Sequence, residues 1–223
     1  SIAGLTIDYG PYAFMEKFDK NFICNLSDYE GRYSFENQPY IAQWNLGVLA
    51  KSFELIADKE LINSYLNIFI GKYKNIYFKQ MFKKLGFKKE LEDDKKLVSG
   101  LLKAMQIDAI DYTSFFSKLS CDDIKNIDGE NIQNWLKKYL QRLGFEDISK
   151  EQRSKEMKKI NPKYILRNYM LQKAIDNAEL GDFRLVNDLL SIAQNPYDEH
   201  KHYNYFSKPN DDNIATLRCS CSS

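Results

Sequence analysis

The chain has 223 residues, and its 32 basic and 31 acidic side chains leave a formal net charge of +1. A chain of this length can bury a sizeable core without disulfides. Its balanced charge argues against a general electrostatic grip on nucleic acid or on an anionic membrane surface. Because it has neither an apolar run long enough to span a bilayer nor the pattern of a secretory signal, the sequence predicts a soluble, intracellular protein.

The N-terminal region predicts a short strand followed by a turn. Residues 5–7 favour extended backbone because Thr6 and Ile7 are β-branched, and they lead directly into Asp8-Tyr-Gly. Pro11 suits the first turn of a short helix that reaches Phe18. The polar, aperiodic stretch from Asp19 to Glu36 then predicts an ordered loop.

Helical patterns dominate from residue 37 onward. Asn37 followed by Pro39 predicts the start of a strongly amphipathic helix, and a second long helix is expected from Asp58 to a stop at Gly86. The charged stretch from Lys88 to Lys96 is interpreted as a solvated helix face. Further helices are predicted at 97–105, 112–119, 132–143, 162–179 and 183–193, with Gly144 and Gly181 as terminators.

These patterns predict a mainly α protein in three parts. Residues 1–36 form the strand and loop, 37–196 form a helical body, and 197–223 form an irregular surface tail. The aromatic run Tyr197, Tyr203, Tyr205 and Phe206 is expected to pin this tail onto the body.

Asp8 is the candidate metal ligand. A hard divalent cation takes carboxylate, phosphate and water oxygens, so one aspartate where a strand meets a loop can supply one ligand, as in kinase-like enzymes. Asp-Tyr-Gly is also a good turn tripeptide, and spacing alone leaves both interpretations open.

The residues around Asp8 carry a wider resemblance, to the selenoprotein O family of protein adenylyltransferases. Its motifs in this chain are Gly4-Leu-Thr-Ile-Asp-Tyr-Gly-Pro-Tyr-Ala-Phe-Met, Phe22-Ile-Cys-Asn25, Ser27-Asp28, Gly31-Arg-Tyr33, Asn37-Gln-Pro39, Trp44-Asn-Leu46, Asn161-Pro-Lys-Tyr-Ile-Leu-Arg-Asn-Tyr169, Gly181-Asp-Phe183 and Cys221-Ser-Ser223. The first fifty residues are the most specific, whereas residues 59–158 match only in length and helical character. The chain resembles the C-terminal portion of a family member.

The resemblance implies a fold like the C-lobe of a protein kinase, with additional helices specific to the family. It implies AMP transfer from ATP to Ser, Thr or Tyr hydroxyls of proteins, with Asp8 binding Mg²⁺ (or Mn²⁺) and ATP. The family's catalytic base, its second metal ligand and its N-terminal lobe lie upstream of these motifs, so this chain alone is expected to be inactive and could work with a separate N-terminal half. The alternative is a noncatalytic helical module or gene-fragment relic that binds a partner or the missing lobe. The expected location is the bacterial cytoplasm, or the mitochondrion in a eukaryote.

Cysteine positions suggest a redox function within the same resemblance. Cys221 stands where some family members carry selenocysteine, and a disulfide from Cys24 in the loop to Cys221 in the tail would link the two segments. Two free thiols remain the alternative. Cys121 is expected to be an inert core residue.

Other polar residues have competing interpretations. Asn25, Asp28 and Arg32 lie in the segment equivalent to a kinase activation loop, where they either position nucleotide or substrate or form structural hydrogen bonds. Lys51, Lys59 and Lys72 are interpreted as solvated helix positions. The tail histidines, His200 and His202, are interpreted as solvated rather than as metal ligands.

Overall fold

The computed structural model describes Gly10 and residues 12–209. Eight α-helices make up most of this described part, which confirms the prediction of a mainly α protein. They are α1 (Gln38–Lys51), α2 (Lys59–Lys84), α3 (Asp94–Ile107), α4 (Tyr112–Ser120), α5 (Glu130–Leu143), α6 (Lys150–Lys158), α7 (Asn168–Glu179) and α8 (Arg184–Gln194). Short 3-10 helices span Phe35–Asn37, Ile124–Asn126 and Lys201–Ser207. The strand predicted at residues 5–7 lies outside the described residues.

The larger core is built from the end of α2 together with α3, α4 and α5. Two buried aromatic residues of α5 fill it and also satisfy backbone carbonyls. The Trp135 indole N–H donates to the Leu97 carbonyl at 2.8 Å, and the Tyr139 hydroxyl donates to the Leu85 carbonyl at 2.9 Å. These bonds fix α5 against both α3 and the end of α2, because a buried polar group without a partner is costly.

A buried ion pair links the first residue of α3 to the last turn of α5. Asp94 is 1% exposed and accepts two hydrogen bonds from Arg142, at 2.5 and 2.9 Å. Arg142 also donates to the Glu146 carboxylate and to the Lys89 carbonyl, both at 2.8 Å. The guanidinium lies over the Phe87 ring, 4.3 Å from its centroid. The segment from Lys88 to Asp93 is therefore a loop held by this network. The helix face predicted at Lys88 to Lys96 is wrong for this segment, because α3 begins only at Asp94.

A second, smaller core joins α7 and α8 to the beginning of the tail. Phe206 is 1% exposed within it, and the Tyr203 hydroxyl donates to the Asp188 carboxylate at 2.6 Å. These contacts confirm the predicted pinning for Tyr203 and Phe206, whereas Tyr197 and Tyr205 are 48% and 55% exposed. Lys201–Ser207 is a 3-10 helix, so this part of the tail is more regular than predicted.

One predicted helix is absent from residues 12–18, and another is wrong at its N-terminal end. Residues 12–18 are not helical, because the Phe18 N–H donates to the Ile110 carbonyl at 2.8 Å and the Tyr112 N–H donates to the Glu16 backbone carbonyl at 2.9 Å. The backbone there pairs with the loop before α4 rather than with itself. Residues 162–167 are also not helical, since the N–H groups of Lys163 and Tyr164 both donate to the Pro196 carbonyl.

Helix α6 was not predicted, because six of its nine residues are charged and Met157 is its one buried residue, which leaves no apolar periodicity. Its start does carry a local signal. The Ser149 hydroxyl accepts from the Gln152 N–H at 3.1 Å, as expected of a capping box with Ser at the cap and Gln three residues later.

Helix α1 begins next to Asn37 as predicted, but the expected amphipathic stripe is wrong. At roughly 100° per residue, Trp44 and Val48 lie within about 40° of each other, whereas Leu46 and Leu49 lie about 100–160° away from them around the helix. Every residue of α1 remains at least partly exposed. The helix is apolar on both faces rather than along one stripe.

Candidate active site

The segment from residue 19 to residue 36 is an ordered loop, as predicted, and residues 12–18, which were expected to be helical, extend it toward the N-terminus. Backbone hydrogen bonds close it on itself, from Phe35 to Phe22 and from Glu36 to Lys20, both at 2.9 Å. Inside this closure, the Asp28 carboxylate accepts from the N–H groups of Arg32 and Tyr33 at 2.9 and 2.8 Å. Gly31 makes this turn possible with a φ of 65°. Asp28 thus has a structural role in shaping the loop.

Arg32 lies against aromatic rings of the same region. Its guanidinium carbon is 4.5 Å from the centroid of the Trp44 ring and 5.8 Å from that of Tyr33. These are cation–π distances, which join the loop to the first turns of α1. Contact between Arg32 and nucleotide or substrate stays a prediction.

A buried arginine anchors the beginning of the loop to the body. Arg167 is 1% exposed and forms a bidentate pair with Asp111, at 2.7 and 3.1 Å, and its Nη1 lies 3.7 Å from Glu16. Asp111 also caps α4, accepting from the Ser114 N–H at 2.7 Å. Burial raises the pKa of Glu16, and the charge of Arg167 opposes that rise. One guanidinium therefore fixes residue 16 relative to α4 and to the start of α7.

A cavity of roughly 350 Å³ lies between this loop and the body. Its walls are mainly apolar and include Phe14, Phe22 and Phe116, with Cys24 and Lys84 as chemically reactive members. The Lys84 ammonium is 4.5 Å from the centroid of the Phe116 ring. Among the described residues, no carboxylate is within ion-pair distance of this ammonium.

Burial lowers the pKa of Lys84 from 10.5 to about 8. Between those two values the unfolded chain binds more protons than the folded one, so stability rises with pH across the window. We expect the free energy of unfolding to increase by about 1 kcal/mol from pH 7 to pH 9. Lys84→Met should remove this pH dependence. It should also raise the free energy of unfolding at pH 7 by about 1–3 kcal/mol, because the cost of burying the charge is larger than the lost cation–π contact.

Urea denaturation at pH 7 and pH 9 tests this expectation. The matched control is Lys83→Met, one residue earlier on the exposed side of α2, which should keep the pH dependence of the wild-type chain. An equal response of the two variants to pH would show that Lys84 carries no burial cost.

The predicted site residues are only partly within the described chain. Asp8 and Cys221 lie outside it, so the metal-ligand role of Asp8 and the Cys24 to Cys221 pairing stay predictions. Cys24 is partly buried and lines the cavity. Cys121 is exposed after the end of α4, so its predicted core position is wrong.

Among the described residues, no group of three or more His, Cys, Asp or Glu side chains could hold a metal ion. The His200 ring nitrogen Nε2 instead lies 2.8 Å from the Asn195 carbonyl. Within the same residues, no helix combines the length and apolar character needed to cross a membrane.

Arg167 and Lys84 are the important residues of this region that sequence reasoning did not single out. Arg167 lies within the family motif from Asn161 to Tyr169, but the motif alone did not indicate that its side chain pairs with Asp111. Lys84 carried no signal, because a lysine in the last turn of a long helix is normally solvated.

Comparisons with known proteins identify the family. A family model described as Protein adenylyltransferase SelO matches residues 1–194. Relatives named Protein nucleotidyltransferase YdiU are 39% identical in Photobacterium profundum, 40% in Vibrio parahaemolyticus and 37% in Pseudomonas fluorescens. Each match covers 100% of this chain but 48% of the relative, so the chain spans about half the length of the curated relatives it matches. The chain therefore belongs to the SelO family of protein adenylyltransferases.

Proposed function

We propose that this chain supplies one half of an enzyme that transfers AMP from ATP to Ser, Thr or Tyr hydroxyls of proteins. The observation that carries the proposal is the match of the whole chain, at 37–40% identity, to about half of relatives named as protein nucleotidyltransferases. In this reaction the hydroxyl oxygen bonds to the α-phosphorus of ATP, the bond to the pyrophosphate leaving group breaks, and the hydroxyl proton passes to a base.

Within the proposal, Asp8 is the residue of this chain that binds Mg²⁺ or Mn²⁺ and the nucleotide. A bound divalent cation would neutralise phosphate charge and orient the phosphates. The catalytic base and the second metal ligand come from the other half of the protein, and the helical body corresponds to the C-lobe of a kinase-like fold. The chain alone is then inactive. The contribution of residues 12–37 is to hold a rigid loop directly after the metal ligand, through Arg167 and Asp111.

An adenylylation assay tests this function when the chain is combined with the other half of the protein. AMP transfer should require both halves and should depend on Asp8. Labelled ATP reports the transfer directly. A noncatalytic helical module would give no transfer even when the other half is present.

We also propose a reversible disulfide between Cys24 and Cys221, formed by exchange with an external disulfide that takes up the two electrons and is released as two thiols. Cys24 lines the cavity beside the loop, so this bond would link the tail to the loop that follows Asp8. Peptide mapping of oxidised protein without reductant should recover the Cys24 and Cys221 peptides joined. Recovery of both thiols free, or Cys24 joined to another cysteine, would overturn this pairing.

A further inference from the structure

The hairpin of α1 and α2 exposes apolar side chains on a scale unlike the rest of the body. Helix α2 has 26 residues and is about 39 Å long, yet its buried residues, Met81 and Phe82, are both near its C-terminal end. Helix α1 is apolar on two faces, and each of its residues is at least partly exposed. A helix with apolar residues on more than one face is normally covered on each of them by other parts of the protein. The hairpin therefore carries apolar surface that another protein segment would normally cover.

A groove of roughly 690 Å³ runs between the two helices. Leu46 and Leu49 of α1 line one side, and Leu61, Tyr65 and Ile76 of α2 line the other. Tyr65 and Ile76 are 65% and 60% exposed, and Lys72 adds a positive charge to the lining. Large contiguous apolar patches on a protein surface mark places where another protein segment packs.

The occupant can be argued from chain length. The relatives have about as many residues again as this chain, so a complete family member has a second half of similar size. The two cores described above are closed by their own helices, whereas the hairpin is joined directly to the loop after Asp8 by α1. Phe18 and Phe35 of the loop line one cavity together with Phe69 and Tyr73 of α2, so a half that brings its catalytic groups to the loop also comes close to the hairpin.

We propose that the groove between α1 and α2 is the surface onto which the other half of the SelO family protein docks. The inference rests on the proposed function in one respect, which is that this chain is one half of a SelO family protein whose other half completes it. The docking half presents an apolar helix or helices to the groove, with a carboxylate near Lys72. Docking buries the apolar faces of α1 and the first five turns of α2, and brings the other half beside residues 12–37.

A fusion protein tests the proposal. In it, this chain replaces the matching half of the Photobacterium profundum relative, joined in the order of that relative. Ile76→Glu places a charge in the groove. We expect it to leave the melting temperature of the isolated chain within about 2 °C, because Ile76 is exposed there, and to lower that of the fusion by about 5 °C or more.

The matched control is Ile175→Glu, the same change at a mid-helix position of α7 that is 51% exposed. It should change neither protein by more than about 2 °C. A fusion that tolerates Ile76→Glu as well as Ile175→Glu would overturn the proposal, and so would a wild-type fusion that does not fold. A stable dimer of the isolated chain that Ile76→Glu dissociates, with the fusion unaffected, would instead identify a second copy as the occupant.

This readout separates docking from catalysis. Asp8→Ala should leave the melting temperature of the fusion unchanged while lowering its labelled AMP transfer on the order of 100-fold or more. If the wild-type fusion transferred no AMP but Ile76→Glu still lowered its melting temperature, docking would be supported and the proposed function would be wrong.

Discussion

Asp94→Ala is expected to destabilise the chain by about 3–5 kcal/mol, the largest stability effect of any single substitution considered. The Asp94 carboxylate accepts two hydrogen bonds from Arg142 and a third, at 2.8 Å, from the Leu91 N–H. Its removal leaves the guanidinium of Arg142, which is 8% exposed, with Glu146 as its remaining carboxylate. The cost arises because a buried charge loses its partner, not because the pair itself adds much net stability.

Asp93→Ala is the control for this effect, because it removes the same group one residue earlier. The Asp93 carboxylate pairs with Lys96 at 2.8 Å, but both side chains are at least 80% exposed. Such pairs contribute about 0–1 kcal/mol. Urea denaturation of the two variants measures the difference, and equal losses would show that the Asp94 network is no more than a surface contact.

Asp8→Ala is expected to lower AMP transfer by the fusion on the order of 100-fold or more. A catalytic divalent cation contributes several kcal/mol of charge stabilisation, and each 1.4 kcal/mol changes the rate about tenfold. Residual activity should need a higher Mg²⁺ concentration for its half-maximum, which a purely structural role would not produce. The assay uses labelled ATP and a titration of MgCl₂.

The control for the Asp8 variant is Asp93→Ala, an exposed carboxylate outside the candidate site. It should keep the activity and the Mg²⁺ requirement of the wild-type fusion. If Asp8→Ala retained both as well, the assignment of Asp8 as a metal ligand would be wrong, whatever the activity of the protein.

The helices that sequence predicted well are those with a strong local start or stop. The Asp58 side chain accepts from the Glu60 N–H at 2.7 Å at the start of α2, and Gly86 ends that helix with a φ of 74°. Gly181 likewise follows α7 with a φ of 85°. Such signals act within a few residues, so they can be read without the fold.

The errors occur where distant parts of the chain decide the local structure. Residues 12–18 and 162–167 have sequences compatible with helices, but their N–H groups or carbonyls pair with the loop before α4 and with Pro196. Helix α6 shows the reverse case, in which a capped, highly charged helix is formed without the apolar periodicity on which prediction relies. Tertiary contacts override propensity in residues 12–18 and 162–167, whereas α6 follows its propensity and its cap.

The candidate site was also predicted only in part, because local turns can be predicted from the sequence and distant contacts cannot. The sequence predicted an ordered loop from Asp19 to Glu36, and Asp28 and Gly31 form the local turn that orders it. The anchor of that loop joins Arg167 to Asp111, 56 positions apart, and no pattern in one sequence reveals such a pair. The low pKa of Lys84 likewise depends on how the loop and α4 cover the end of α2.

The most direct test of the central claim is labelled AMP transfer by the isolated chain and by the fusion under identical conditions. The proposed division of the active site predicts no transfer and no self-modification by the chain alone, and Mg²⁺-dependent transfer by the fusion. Self-modification by the isolated chain would contradict it, because the catalytic base and the second metal ligand would then have to lie within these 223 residues.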